Sequence, residues 1–148
     1  SPAVFSRLVA PYYKQLFDVI HRNTTSEILF HSCGGIYPII PMLIDCGVDI
    51  LNPVQATAVG MDPARLKAQF GRQIVFWGGG IDTQTVLPFG APEEVIAQVQ
   101  ERLSILAPGG GFVFATSHNI QQDSPVANVA AMLDTLRQYG GYDVSSSS

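Results

Sequence analysis

The chain has 148 residues, of which 47% are hydrophobic and 14% are charged, and its formal net charge at pH 7 is −4. This composition is typical of a folded globular domain, and the absence of a basic excess argues against a nucleic-acid partner. No apolar run approaches the roughly 20 residues of a transmembrane helix, and the N-terminal residues lack the basic and apolar regions of a signal peptide. We therefore expect no membrane partner and a cytoplasmic location.

Short apolar runs alternate with stretches of helical periodicity along the chain. The predicted order is a leading helix over residues 3–22 followed by four strand–helix units. The strands are predicted at residues 27–30, 49–52, 74–77 and 112–115, and the helices that follow them at 36–46, 65–70, 91–106 and 124–139. The apolar face of the leading helix is expected to contain Phe5, Leu8, Val9, Tyr12, Leu16, Val19 and Ile20. We predict one domain over residues 1–144 and a disordered serine tail over 145–148.

The polar and glycine-rich segments of the chain follow the predicted strands. Repeated strand–helix units with this arrangement predict an α/β fold with a parallel sheet, as in a (β/α)8 barrel, whose active site lies at the C-terminal ends of the strands. Such a barrel typically needs about 250 residues and eight units. The sequence therefore predicts half of a TIM barrel, either as a piece of a longer protein or as one of two copies that complete a barrel.

Two further expectations concern the sheet. An open doubly wound sheet of four strands also fits the length, although the glycine-rich phosphate-binding turn of such folds is not found early in the chain. A four-stranded parallel sheet has two exposed edges, so we expect self-association through these edges if the chain stands alone.

His31 and Cys33 come directly after the first predicted strand. Neutral imidazole and thiolate are ligands that zinc prefers, and residues two apart in a strand point to the same side. The pair therefore predicts a metal site, with packing or hydrogen bonding at a strand end as the alternative. His118 follows the fourth strand and is the candidate third ligand; a substrate-contacting or acid–base catalytic role fits its position equally well.

The segment after the third strand combines glycines with polar side chains. Gly79 and Gly80 allow the backbone to approach a ligand closely, and Gln84 is a candidate for substrate binding. Asp82 is a candidate catalytic residue, and the alternative for its carboxylate is a cap or an Asx turn within the loop.

Amide side chains follow the second and fourth strands. Asn52 and Gln55 are predicted to hydrogen-bond a substrate or to orient a histidine that binds metal. Asn119, next to His118, is a further candidate for substrate binding. The second cysteine, Cys46, is predicted to be a core residue.

Several segments together resemble the uroporphyrinogen decarboxylase superfamily. They are residues 31–35 (His-Ser-Cys-Gly-Gly), 45–55, 78–84, 87–90 and 118–121 (His-Asn-Ile-Gln). The His-x-Cys-Gly element resembles the corrinoid-dependent methyltransferase branch, whose members carry a His-x-Cys pair and a later Cys as zinc ligands. The resemblance implies a (β/α)8 barrel in which this chain supplies strands five to eight.

The resemblance also implies a function. In the methyltransferases a Cys stands six residues before the small residue that opens the final helix; the corresponding position here is His118, where the decarboxylases have a substrate-contacting histidine. The implied reaction transfers a methyl group from a methylcorrinoid, carried by a partner corrinoid protein, to a small-molecule acceptor activated by zinc. The alternatives are a uroporphyrinogen decarboxylase and a non-catalytic ligand-binding or inactive barrel fragment.

Overall fold

The computed structural model describes residues 1–141, so the predicted tail at 145–148 lies outside the described residues. The chain begins with helices α1 (Pro2–Leu8) and α2 (Ala10–Asn23). Strand β1 (Leu29–His31), a 3₁₀ turn (Tyr37–Ile39) and α3 (Ile40–Cys46) follow, and then β2 (Ile50–Asn52), α4 (Pro63–Phe70) and β3 (Val75–Trp77). The remaining elements are α5 (Val86–Phe89), α6 (Pro92–Leu106), β4 (Phe112–Val113) and α7 (Val126–Tyr139). Among residues 1–141, no helix is long and apolar enough to cross a membrane.

The four strands form one parallel sheet in the order β1-β2-β3-β4. Strand–helix–strand crossovers in parallel sheets are almost always right-handed, so an uninterrupted order places the connecting helices on the same face. A doubly wound sheet instead reverses its strand order and carries helices on both faces. The observed order excludes that alternative and confirms the prediction of four strand–helix units of a barrel.

The two faces of the sheet differ in burial. Phe30, Leu51, Phe76 and Phe112 are aligned across the four strands, and the last three are 0%, 0% and 4% exposed. This is the outer face, which packs against the helices. Side chains alternate along a strand, so the neighbouring residues point to the inner face, where Leu29 is 46% and Trp77 37% exposed. The inner face corresponds to the interior of a complete barrel.

The leading helix differs from its prediction. It is divided at Val9, whose φ of −120° is not helical, because Pro11 has no N–H to donate and its ring disfavours a continuous helix. In α2 the ring of Tyr13 stacks on Phe17 with centroids 5.4 Å apart, and Phe17 is buried.

The predicted apolar face of this helix was wrong in four positions, since Leu8, Tyr12, Leu16 and Val19 are exposed. The segment carries two apolar stripes, and helical periodicity alone does not identify the stripe that packs.

The strands are shorter than predicted. β4 ends at Val113, but parallel contacts continue beyond it through the Gly80 N–H, which donates to the Ala115 carbonyl, and through a bridge between Ile81 and Thr116. The short helix α5 was not predicted. These contacts bring the loops after β3 and β4 together at the C-terminal end of the sheet.

Candidate functional site

The C-terminal ends of the strands surround an open cavity of about 290 Å³, which we call the histidine cavity. His31 ends β1, Asn52 ends β2, Trp77 ends β3, and His118 lies in the loop after β4. The full lining is His31, Asn52, Pro53, Trp77, Ala115, Thr116, Ser117, His118 and Asn119. Parallel strands thus bring several of the predicted site residues to one edge of the sheet.

His31 and Cys33 are adjacent and exposed, with 3.5 Å between the Nε2 atom of His31 and the Sγ atom of Cys33. Zinc binds nitrogen at about 2.0 Å and sulfur at about 2.3 Å, so two such ligands of a tetrahedral ion lie about 3.5 Å apart. The separation therefore fits two ligands of one zinc ion. It also fits a weak hydrogen bond between the thiol and the imidazole, the alternative expected from the sequence.

Asn52 fixes the orientation of the His31 ring. The Nδ2 group of Asn52 donates to the carbonyl of Trp77 at 3.3 Å, which directs its Oδ1 atom toward Nδ1 of His31 at 2.7 Å. Because Oδ1 only accepts, Nδ1 carries the proton. The lone pair of the neutral ring then lies on Nε2, the atom that faces Cys33. The predicted contact between Asn52 and a histidine is present in the structure.

Gln55 supports the loop that carries Cys33. Its Oε1 atom accepts a hydrogen bond from the N–H of Gly34 at 2.8 Å. The next glycine is required by packing, since a Cβ atom on Gly35 would lie 2.8 Å from the carbonyl oxygen of Val59. The Gly-Gly element after Cys33 therefore has a structural basis.

The structure does not assemble the predicted three-ligand set. Among residues 1–141, no group of three or more His, Cys, Asp and Glu side chains stands close enough to hold a metal ion. His118 lines the same cavity as His31 but belongs to the loop after β4, at the other edge of the sheet from β1. The structure brings together two of the three predicted ligands and leaves His118 on the cavity wall.

Asp82 is buried, and both of its carboxylate oxygens have partners within its own loop. Oδ1 accepts from the backbone N–H of Gln84 at 2.8 Å, and Oδ2 accepts from the hydroxyl of Thr85. These contacts form the Asx-type turn that the sequence left open as the alternative. A catalytic role for Asp82 stays a prediction.

Gly79 and Gly80 allow two segments to pack closely. Gly79 has a φ of +83°, and a Cβ atom there would lie 2.4 Å from the carbonyl oxygen of Val54. A Cβ atom on Gly80 would lie 2.3 Å from the ring of Phe114. Both glycines are explained by packing, and ligand binding by their backbone stays a prediction.

A second cavity of about 310 Å³ adjoins the first, and we call it the polar cavity. It is lined by Gln55, Thr57, Asp82, Thr83, Gln84, Ser117, His118, Asn119 and Gln121. The two cavities share residues 117–119, so His118 lies on their common wall. Thr57 and Ser117 were not predicted as site residues. Both follow a strand, and this position is the sequence signal that would have indicated a place in the site.

Cys46 has the predicted core position. It is buried in α3, and its thiol donates to the carbonyl of Ala10 at 3.4 Å. Burial raises the pKa of this thiol, which keeps it protonated and poorly reactive. Of the two free cysteines, Cys33 is therefore the one available for metal binding.

The chain is similar to known proteins in both sequence and structure. The family model for uroporphyrinogen decarboxylase (URO-D) matches residues 1–139. The uroporphyrinogen decarboxylase of Azoarcus sp. (strain BH72) is 26% identical over 145 residues, covering 93% of this chain and 37% of that protein. That of Anaeromyxobacter dehalogenans (strain 2CP-C) is 24% identical over 130 residues, covering 88% and 35%.

The structure is also similar to that of a methyltransferase from Methanosarcina mazei. The TM-score is 0.73 at 20% sequence identity, over 95% of this chain and 38% of that one. At this identity the similarity shows the fold alone. The chain spans less than two fifths of these three proteins.

Proposed function

Since the chain belongs to the uroporphyrinogen decarboxylase (URO-D) family, whose members are enzymes, we propose that it supplies the metal-binding half of a corrinoid-dependent methyltransferase. The observation that carries the proposal is the His31–Cys33 pair. Its 3.5 Å separation fits two zinc ligands, and Asn52 directs the His31 lone pair toward Cys33. The fold is also that of a solved methyltransferase.

The proposed reaction assigns a task to each part of the site. Zinc bound to His31 and Cys33 would favour ionisation of an acceptor thiol near neutral pH. A methylcorrinoid on a partner protein would supply the methyl group to the acceptor sulfur. A sulfur–carbon bond would form as the carbon–cobalt bond breaks, and the electron pair of the broken bond would stay with the corrinoid. We assign the contact with the acceptor to His118, which lies on the wall shared by the two cavities.

The zinc content of the protein tests the proposal. After dialysis against a weak chelator, we expect about one zinc per chain in the wild type and little in Cys33→Ser, because a hydroxyl is a poor replacement for a thiolate ligand. The matched control is Cys46→Ser, which changes the buried cysteine and should retain zinc. Elemental analysis makes the measurement. Absence of zinc from folded wild-type protein would contradict the proposal.

His118→Ala is expected to retain zinc, because among residues 1–141 His118 does not join His31 and Cys33 as a third donor. Methyl transfer to a thiol acceptor should nevertheless fall about 100-fold, the lower range for loss of an acid–base side chain. Zinc content and transfer rate are measured on the same preparation. Zinc loss on this substitution would instead identify His118 as the third ligand.

The second candidate function is decarboxylation of uroporphyrinogen. It is favoured by the curated relatives, which are uroporphyrinogen decarboxylases, and by the position of His118 on the cavity wall. Incubation with uroporphyrinogen, followed by release of carbon dioxide, tests it. Decarboxylation by zinc-free protein, lost in His118→Ala and retained in Cys33→Ser, would place this function first.

A further inference from the structure

The loop after β4 is attached to the loop after β3 at the carbonyl group of Ile81. The backbone N–H of Ser117 donates to this carbonyl at 3.2 Å, and the hydroxyl of the same serine donates to the same oxygen at 3.0 Å. Ile81 is fully buried, and the N–H of the same peptide unit, on Asp82, donates to Oε1 of Gln98 in α6 at 2.7 Å. Since both polar groups of this peptide unit are bonded, it is a fixed anchor for Ser117.

Beyond Ser117 the chain has no regular secondary structure until α7. Among residues 1–141, no backbone N–H at positions 118–123 donates to another residue. Side chains hold this segment instead. The hydroxyl of Thr116 donates to the carbonyl of His118 at 2.6 Å, and the Nε2 amide of Gln121 donates to the carbonyl of Asn119 at 3.1 Å. A loop without backbone hydrogen bonds has many accessible paths, so these side-chain contacts determine where His118 lies.

We propose that Ser117 and Thr116 are positioning residues, which hold His118 on the wall shared by the two cavities. Ser117 fixes the start of the loop to the Ile81 carbonyl, and Thr116 sets the turn that follows through the carbonyl of His118. Both hydroxyls donate to backbone carbonyls, so their task is to place His118 and not to contact a ligand. The consequence for catalysis rests on the proposed function, in which His118 contacts the acceptor.

Backbone dynamics measured by NMR relaxation test the positioning role without any reaction. In the 148-residue chain, Ser117→Ala and Thr116→Val each remove one hydroxyl. Each is expected to lower the amide order parameters of residues 118–121 from about 0.85, typical of rigid backbone, to about 0.6 or below. Ser117→Thr retains a hydroxyl and should keep the wild-type values. The matched control is Ser104→Ala, which removes an exposed hydroxyl that donates to the carbonyl of Glu101 at 2.8 Å and should change nothing in this loop.

A double-mutant cycle shows whether the hydroxyl of Ser117 acts through His118. Ser117→Ala should lower the rate of methyl transfer about three- to tenfold, the effect of one hydrogen bond, and Ser117→Thr should restore it. The same substitution should have no further effect in protein that already carries His118→Ala. A hydroxyl that only stabilises the structure in general would lower the rate in both backgrounds. Circular dichroism confirms that each variant is folded.

The two measurements can fail separately. Unchanged order parameters in both hydroxyl-free variants would overturn the proposal, and so would equal rate losses from Ser117→Ala in the presence and absence of His118. Folded wild-type protein without methyl transfer would contradict the proposed function instead, and the order parameters would then decide the positioning role alone.

Discussion

Asn52→Leu is expected to weaken zinc binding about 10- to 100-fold, the usual effect of removing a residue that orients a metal ligand. In the structure, the Oδ1 atom of Asn52 accepts from Nδ1 of His31 at 2.7 Å. Leucine has a similar volume but offers no acceptor, so the His31 ring is free to rotate and to place its proton on Nε2. Competition with a chromophoric chelator measures the zinc affinity.

A control variant and a measurement on the metal-free protein distinguish loss of the His31 ring orientation from a general disruption of the structure. Asn52→Asp retains an acceptor oxygen beside His31 and should keep zinc affinity closer to that of the wild type. Long-range ¹H–¹⁵N correlation spectra of the metal-free protein should show the His31 proton on Nδ1 in the wild type and in Asn52→Asp, but not in Asn52→Leu. An unchanged tautomer in Asn52→Leu would show that the amide does not orient the ring.

The fold was predictable because its signals are local. Short apolar runs, each followed by polar or glycine-rich residues, identify the strands and the end of the sheet where the site forms. The His31–Cys33 pair follows from alternation along a strand, and the contact to Asn52 follows from the parallel pairing of His31 with Asn52. These relations depend on neighbours in the chain or in the sheet.

The features that the sequence did not determine depend on contacts between residues distant in the chain, which local sequence patterns do not reveal. The two apolar stripes of α2 look alike in sequence, and packing against the sheet selects the stripe that contains Phe17. The position of His118 depends on the path of the loop after β4, which periodicity does not determine. A carboxylate after a strand, such as Asp82, has the same sequence signal whether it contacts a ligand or closes a turn.

Gly79→Ala is expected to destabilise the protein by about 2–5 kcal/mol. Two effects add. A non-glycine residue at a φ of +83° costs about 1–2 kcal/mol, and overpacking costs about 1–3 kcal/mol more. The overpacking is specific, since the new methyl group would lie 2.4 Å from the carbonyl oxygen of Val54 and relief requires the backbone to move. Urea unfolding measures the loss of stability.

Two other glycines separate these effects. Gly109 has a φ of +74° with nothing within 4 Å of the position that an alanine methyl group would take, so Gly109→Ala should show the backbone cost alone, about 1–2 kcal/mol. Gly80 lies outside the left-handed region but meets the ring of Phe114, so Gly80→Ala isolates crowding. If Gly79→Ala costs no more than Gly109→Ala, the close approach to Val54 is not the reason for glycine. A larger cost would mean that close packing against Val54, in the segment after β2, holds the loop that carries Asp82 and Gln84 in place. The same packing would then contribute to the shape of the polar cavity, which this loop lines.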